Sequence, residues 1–183
     1  MKALLLPALL SFTLATTSPA QTCREVVRDS SGRIVQTIDR QSHSGETVRS
    51  TIRDASGRII GTATTRPNSS ESSQTTYHDA SGRLTGSAST QSSSSGSSRT
   101  TYRNASGSLT GTANTNRNSG SGSSSQYRDA SGRLTGTQTT NGRTSGSFSG
   151  TQRDASGRLV SSSSGSGKCQ GVARSPLQPG GKK

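Results

Sequence analysis

The side chains with the most chemistry to offer are arginines, and they come in rhythm. Arg28, Arg53, Arg103, Arg128 and Arg153 fall on one fixed period, with His78 in the remaining slot. A second set, Arg33, Arg58, Arg83, Arg133 and Arg158, keeps the same period just behind the first, with Ser108 in its remaining slot. Regularly spaced guanidinium groups attract polyanions such as acidic polysaccharide, lipopolysaccharide, teichoic acid or extracellular DNA. The formal charge of +13 over 183 residues pulls the same way. The same charge also serves simply to keep a Ser-rich chain in solution. Catalytic chemistry finds no constellation. His43 and His78 are the only histidines, and His78 reads as a surface residue. The serines have no base in a nucleophile motif. One carboxylate per repeat beside two arginines makes a poor calcium site. "GSGSSS" at 120–125 lacks the lysine and the strand-to-helix setting of a phosphate loop. The chain therefore reads as non-enzymatic, without cofactor or metal. Asn68 and Asn104 begin glycosylation acceptor patterns, which matter only in a eukaryotic host.

The arginines flank a short phrase that must position them. Asp29, Asp54, Asp79, Asn104, Asp129 and Asp154 recur every twenty-five positions. Gly32, Gly57, Gly82, Gly107, Gly132 and Gly157 follow in step. Asp-Ala-Ser-Gly is turn chemistry: the carboxylate accepts hydrogen bonds from the backbone two residues on, and Gly supplies the positive φ. Asn104 offers the same acceptor. The flanks, such as "TTYR" and "RLTGTATT", are rich in β-formers, so each phrase predicts a β-hairpin. A four-residue loop would set Tyr127 against Leu134, Tyr77 against Leu84, Tyr102 against Leu109 and Ile52 against Ile59. On the other face it would set Arg128 against Arg133, Arg53 against Arg58 and Arg153 against Arg158, a column of guanidinium groups along the stack. The Ser-rich spacers between phrases read as flexible loops.

Composition sets the alternative. Only 23% of residues are hydrophobic and 3% aromatic, a balance that also suits a disordered basic chain. Six copies held on one period without an insertion argue for stacked units. The expected fold is all-β: six hairpin repeats in a curved or closed antiparallel meander, favoured over a β-solenoid. A porin-like membrane barrel is disfavoured, because the phrase lacks an outward apolar band and aromatic girdles.

Residues 1–20 read as a secretory signal: Lys2, the apolar "ALLLPALLSFTLA", then "SPA", with cleavage after Ala20. A short membrane anchor is the alternative. The repeat domain then spans 21–169, and 170–183 forms a flexible basic tail. The mature chain is expected to be secreted or periplasmic, with no transmembrane segment. Cys23 and Cys169 bracket the repeats, and an exported chain oxidises them. Mutual pairing, intermolecular bridges and free thiols all stay open. Twelve strands in an open sheet would hold the ends roughly 50 Å apart. A disulfide needs α-carbons within about 7 Å, so mutual pairing requires a sheet that curls or closes, or a tail that folds back.

The phrase "DASGRL" at 79–84, 129–134 and 154–159 is similar to the YD repeat of Rhs and teneurin-type proteins, roughly Tyr-Asp-x-x-Gly-Arg-Leu. Here one residue separates Tyr127 from Asp129. The resemblance implies hairpin sheets and an exported, surface-associated setting. The leading expectation for function is a structural or adhesive surface module. A rival is a soluble binder of anionic glycan or another cell-surface polymer through the arginines. A third is a disordered basic secreted chain. Export disfavours intracellular nucleic acid as a partner, and self-association is left open.

Overall fold

Strand and turn residues alternate along this chain with little else between them, and the structure follows that punctuation. The structure, a computed structural model, describes residues 22–42, 47–118, 120–142 and 146–167. The signal read at 1–20, His43, Cys169 and the tail at 170–183 lie outside the described residues.

Twelve strands run in order: β1 (Thr22–Asp29), β2 (Ile34–Ser42), β3 (Val48–Asp54), β4 (Ile59–Ser69), β5 (Ser72–Asp79), β6 (Leu84–Ser92), β7 (Ser98–Asn104), β8 (Leu109–Arg117), β9 (Ser123–Asp129), β10 (Leu134–Gly142), β11 (Phe148–Asp154) and β12 (Leu159–Gly167). Each pairs antiparallel with its sequence neighbours. β12 returns to β1, from Cys23 opposite Gly167 to Asp29 opposite Ser161, so the meander closes into a barrel. Closure leaves no exposed sheet edge. β1–β2 form hairpin 1 and so on to β11–β12, hairpin 6. The six repeat turns, Asp-Ala-Ser-Gly in four hairpins, Asp-Ser-Ser-Gly in hairpin 1 and Asn-Ala-Ser-Gly in hairpin 4, all lie at one end.

Two expectations about local structure are corrected. The Ser-rich spacers are mostly strand: β4 and β5 are joined by residues 70–71 alone, and β6 and β7 by 93–97. In the second connection Gly96 has φ +82° and its N–H reaches the Ser93 carbonyl, the same turn chemistry as in the repeat phrase. Ser and Thr suffice for strands once both faces have neighbours to bond.

The hairpin register also differs. Asp129 N–H donates to the Arg133 carbonyl and Gly132 N–H to the Asp129 carbonyl, so the loop is the three residues Ala130, Ser131 and Gly132. Leu134 then pairs with Arg128, a bulge absorbs Thr135, and Tyr127 pairs with Gly136. Tyr127 therefore does not face Leu134, and Arg128 does not face Arg133. The same shift recurs at His78/Leu84, Arg103/Leu109, Arg53/Ile59 and Arg153/Leu159. The physical reason is Gly132 at φ +87°, which closes a shorter loop followed by a bulge, a combination that suits the right-handed twist of paired strands.

Burial alternates most clearly in β4, where Gly61, Ala63 and Thr65 are buried and Thr62 and Thr64 half-buried, and in a single closed sheet the buried face is the interior. Each tyrosine sits there between small residues: Tyr77 beside Gly86 and Ala63, Tyr102 beside Gly111 and Ala88, Tyr127 beside Gly136 and Ala113. Deeper in, hydroxyls meet across neighbouring hairpins: Thr65 with Thr75 at 2.8 Å, Thr90 with Thr100 at 2.9 Å and Thr115 with Ser125 at 2.8 Å. A polar interior is tolerable because its groups bond one another. Hairpin 1 and Phe148 supply most of the apolar remainder: Cys23, Val27, Ile38 and, from β3, Val48.

Candidate interaction rim

The turn is built from its aspartate. Asp29 Oδ1 accepts from Ser31 N–H at 2.9 Å, Ser31 Oγ at 2.6 Å and Arg33 N–H at 3.0 Å. Asp54, Asp79, Asp129 and Asp154 repeat the triad. Asn104 accepts from Ser106 Oγ and Ser108 N–H. The Ser31 hydroxyl bond and then the Arg33 N–H hold the Asp29 carboxyl below the usual range; the Ser56 hydroxyl does the same first for Asp54.

The strand arginine closes the other side of the turn. One guanidinium nitrogen donates to the carbonyl of the turn glycine: Arg28 to Gly32 and Arg53 to Gly57 at 3.0 Å, Arg103 to Gly107, Arg128 to Gly132 and Arg153 to Gly157 at 2.8 Å. The expected columns of opposed guanidiniums are therefore separated into two sets. Arg28, Arg53, Arg103, Arg128 and Arg153 lie on the outer face against the turns. Arg33, Arg58, Arg83, Arg133 and Arg158 sit in the exposed stretch just past each turn glycine. Six equivalent hairpins around a closed barrel place both sets on one rim. Like charges stay tolerable because each strand arginine bonds a carbonyl and Arg83 lies 3.7 Å from the Asp79 carboxylate.

Beside each strand arginine, and beside His78, stands an aliphatic residue. Ile34, Ile59, Leu84, Leu109 and Leu159 are exposed and Leu134 is half-buried, while Val35, Ile60 and Val160 are exposed at the bulges. The four-residue loop had hidden this, since it turned the leucines toward the tyrosines. The signal was present in the sequence as two adjacent aliphatics, "II" at 59–60 and "LV" at 159–160, of which a half-buried strand can hide only one.

Hairpin 1 holds charges that the rhythm did not announce. Arg40 meets Glu25 at 2.7 Å with both side chains almost fully buried inside the barrel. On the outer face Asp39 bridges Arg24 at 2.7 Å and Arg53 at 3.8 Å. The Arg24 hydrogen bond, above all, holds the Asp39 carboxyl below the usual range. An open groove of about 630 Å³ is lined by Cys23, Arg24, Asp39, Arg40 and Arg53 among others. Its charges already face one another, so it offers less to a ligand than the rim. Departure from the repeat was the available signal: Glu25 stands where other copies carry Ser50, Thr75, Thr100, Ser125 and Gly150.

No metal-holding group of His, Cys, Asp or Glu occurs among the described residues. Among them, too, no helix is long and apolar enough to cross a membrane. Compared with known proteins, the chain significantly matches no family model, curated protein or solved structure.

Proposed function

We propose that the chain is an exported, non-enzymatic repeat protein that serves as a structural or adhesive surface module, engaging an anionic surface through the arginine rim. The observation that carries this reading is the repetition of one clamped cation per turn, at the same place in five of the six hairpins. A cation already fixed by a turn carbonyl loses little freedom on meeting an anion. Export rests on the leader pattern at 1–20, which makes the protein secreted or periplasmic, and the likeness of "DASGRL" to YD repeats favours a surface setting. Pairing of Cys23 with Cys169 belongs to the same proposal. No cysteine among the described residues is free. β12 brings Gly167 opposite Cys23, and Cys169 follows two residues later.

The test is binding to heparin as a model polyanion across a salt series. Affinity should fall as salt rises. Replacing the clamped Arg28, Arg53, Arg103, Arg128 and Arg153 by Gln, which keeps a donor for the turn carbonyl and loses the charge, should weaken binding and flatten its salt dependence. Affinity indifferent to both salt and these substitutions would remove the reading.

A further inference from the structure

Resting on the proposed working rim, the geometry points to its partner: we propose that the arc formed by hairpins 6, 1 and 2 seats the protein on the surface of an anionic phospholipid bilayer. In hairpins 3, 4 and 5 the two residues outside the turn are Leu84-Thr85, Leu109-Thr110 and Leu134-Thr135. In hairpins 6, 1 and 2 both are aliphatic: Leu159-Val160, Ile34-Val35 and Ile59-Ile60. Hairpins 6 and 1 stand at opposite ends of the repeat domain, and only the pairing of β12 with β1 makes them neighbours. With neighbouring hairpins roughly 10 Å apart, their aliphatics form one continuous arc. The six side chains are between 38% and 47% exposed. Together they present apolar area on the order of a few hundred Å², the size at which exposed patches on monomers usually have a use. Arg153, Arg28 and Arg53 lie along the same arc.

Charge and hydrocarbon together select the partner. A polysaccharide or DNA strand supplies anions but nothing for the aliphatics. A second copy supplies hydrocarbon but sets arginine against arginine in a chain of net charge +13. The surface of an anionic bilayer supplies both at once, phosphates at headgroup level and acyl chain just beneath.

The test uses the full mature chain and co-sedimentation with vesicles of phosphatidylcholine containing phosphatidylglycerol. Vesicles of phosphatidylcholine alone and heparin serve as parallel arms. The variant V35T/I60T/V160T gives the arc the threonine already present at 85, 110 and 135, so its fold has a precedent within the molecule. Retention of the β-sheet circular dichroism spectrum and melting transition checks it. Wild type should bind the anionic vesicles, more weakly as salt rises, and should leave the neutral ones. The variant should lose on the order of tenfold or more in vesicle affinity while keeping its heparin affinity. Equal vesicle binding by both forms would show that charge alone acts and would overturn the proposal. Heparin binding without vesicle binding would replace the bilayer by a glycan. A wild-type dimer abolished in the variant, without vesicle binding, would replace it by a second copy. Failure to bind either heparin or vesicles would remove the broader reading too.

Discussion

At the scale of single residues, two glycines in one hairpin do opposite jobs. Gly132, at φ +87°, has nothing within 4 Å of where a Cβ would stand. Its constraint is conformational, and Gly132→Ala should cost about 1 kcal/mol or somewhat more. Gly136 has an ordinary backbone, yet a Cβ there would stand 2.5 Å from the Arg153 carbonyl oxygen. Its constraint is steric, and Gly136→Ala should cost about 1–3 kcal/mol; urea melts of the two variants measure the difference. Only the first job was legible in sequence, because turn chemistry is local, whereas the carbonyl that Gly136 admits belongs to the next copy. The aspartates add a pH dependence. Their carboxyls are held below the ordinary value of 3.8, so the folded state favours the charged form. The stability they contribute is fully present above that value and is lost as pH falls through the lower folded-state values. Melting temperature should hold level from neutral pH down to about pH 5 and fall below about pH 4. Converting the five to Asn, as at Asn104, should shrink the acid-side fall. An equal fall in that variant would place the titrating groups elsewhere.

At the scale of the element, the hairpin was legible and its register was not. Matching Tyr127 to Leu134 treats the two apolar side chains as partners, which holds when one face supplies the whole core. Here the interior accepts Thr, Ser, Gly and Ala, so the leucine can be left outside and turn geometry decides the register. What binds one hairpin to the next is accordingly polar. Thr90 on β6 and Thr100 on β7 share one hydroxyl bond of 2.9 Å in the buried interior. Thr100→Val strands the Thr90 hydroxyl and should cost about 1–3 kcal/mol. T90V/T100V removes both hydroxyls at nearly constant shape and should recover the part of that loss owed to Thr90, while the Tyr102 hydroxyl, which Thr100 also bonds, stays without that partner. Equilibrium unfolding of the two single variants and the double variant gives the coupling. Additive losses would mean that the hydroxyls act separately, through other partners.

At the scale of the whole molecule, equivalent hairpins carry no instruction to stop at six and close. The sequence hinted at closure through its bracketing cysteines, since an open sheet would hold their ends far apart. It did not show what distinguishes the seam. Beside it, within hairpin 1, the structure buries the pair Glu25 of β1 and Arg40 of β2, and across the seam Glu25 stands opposite Gly165 of β12, whose missing side chain makes room for the Phe148 ring. Removing one partner leaves an uncompensated buried charge, so Glu25→Gln should cost about 3–5 kcal/mol. E25T/R40T, which installs the residues of positions 75 and 65, should be close to neutral in stability. Closure is a separate quantity from stability, and the same double variant separates them. If Glu25, held by Arg40 of the same hairpin, marks β1 as the partner of β12, the variant should stay monomeric while the proposed Cys23–Cys169 bond holds the ends together. On reduction it should form oligomers through its freed edge strands, while the reduced wild type stays monomeric. Size-exclusion chromatography with light scattering, with and without reductant, reads all four states. A reduced double variant as monomeric as the wild type would mean that backbone pairing between β1 and β12 closes the barrel by itself, and that Glu25 and Arg40 only fill it.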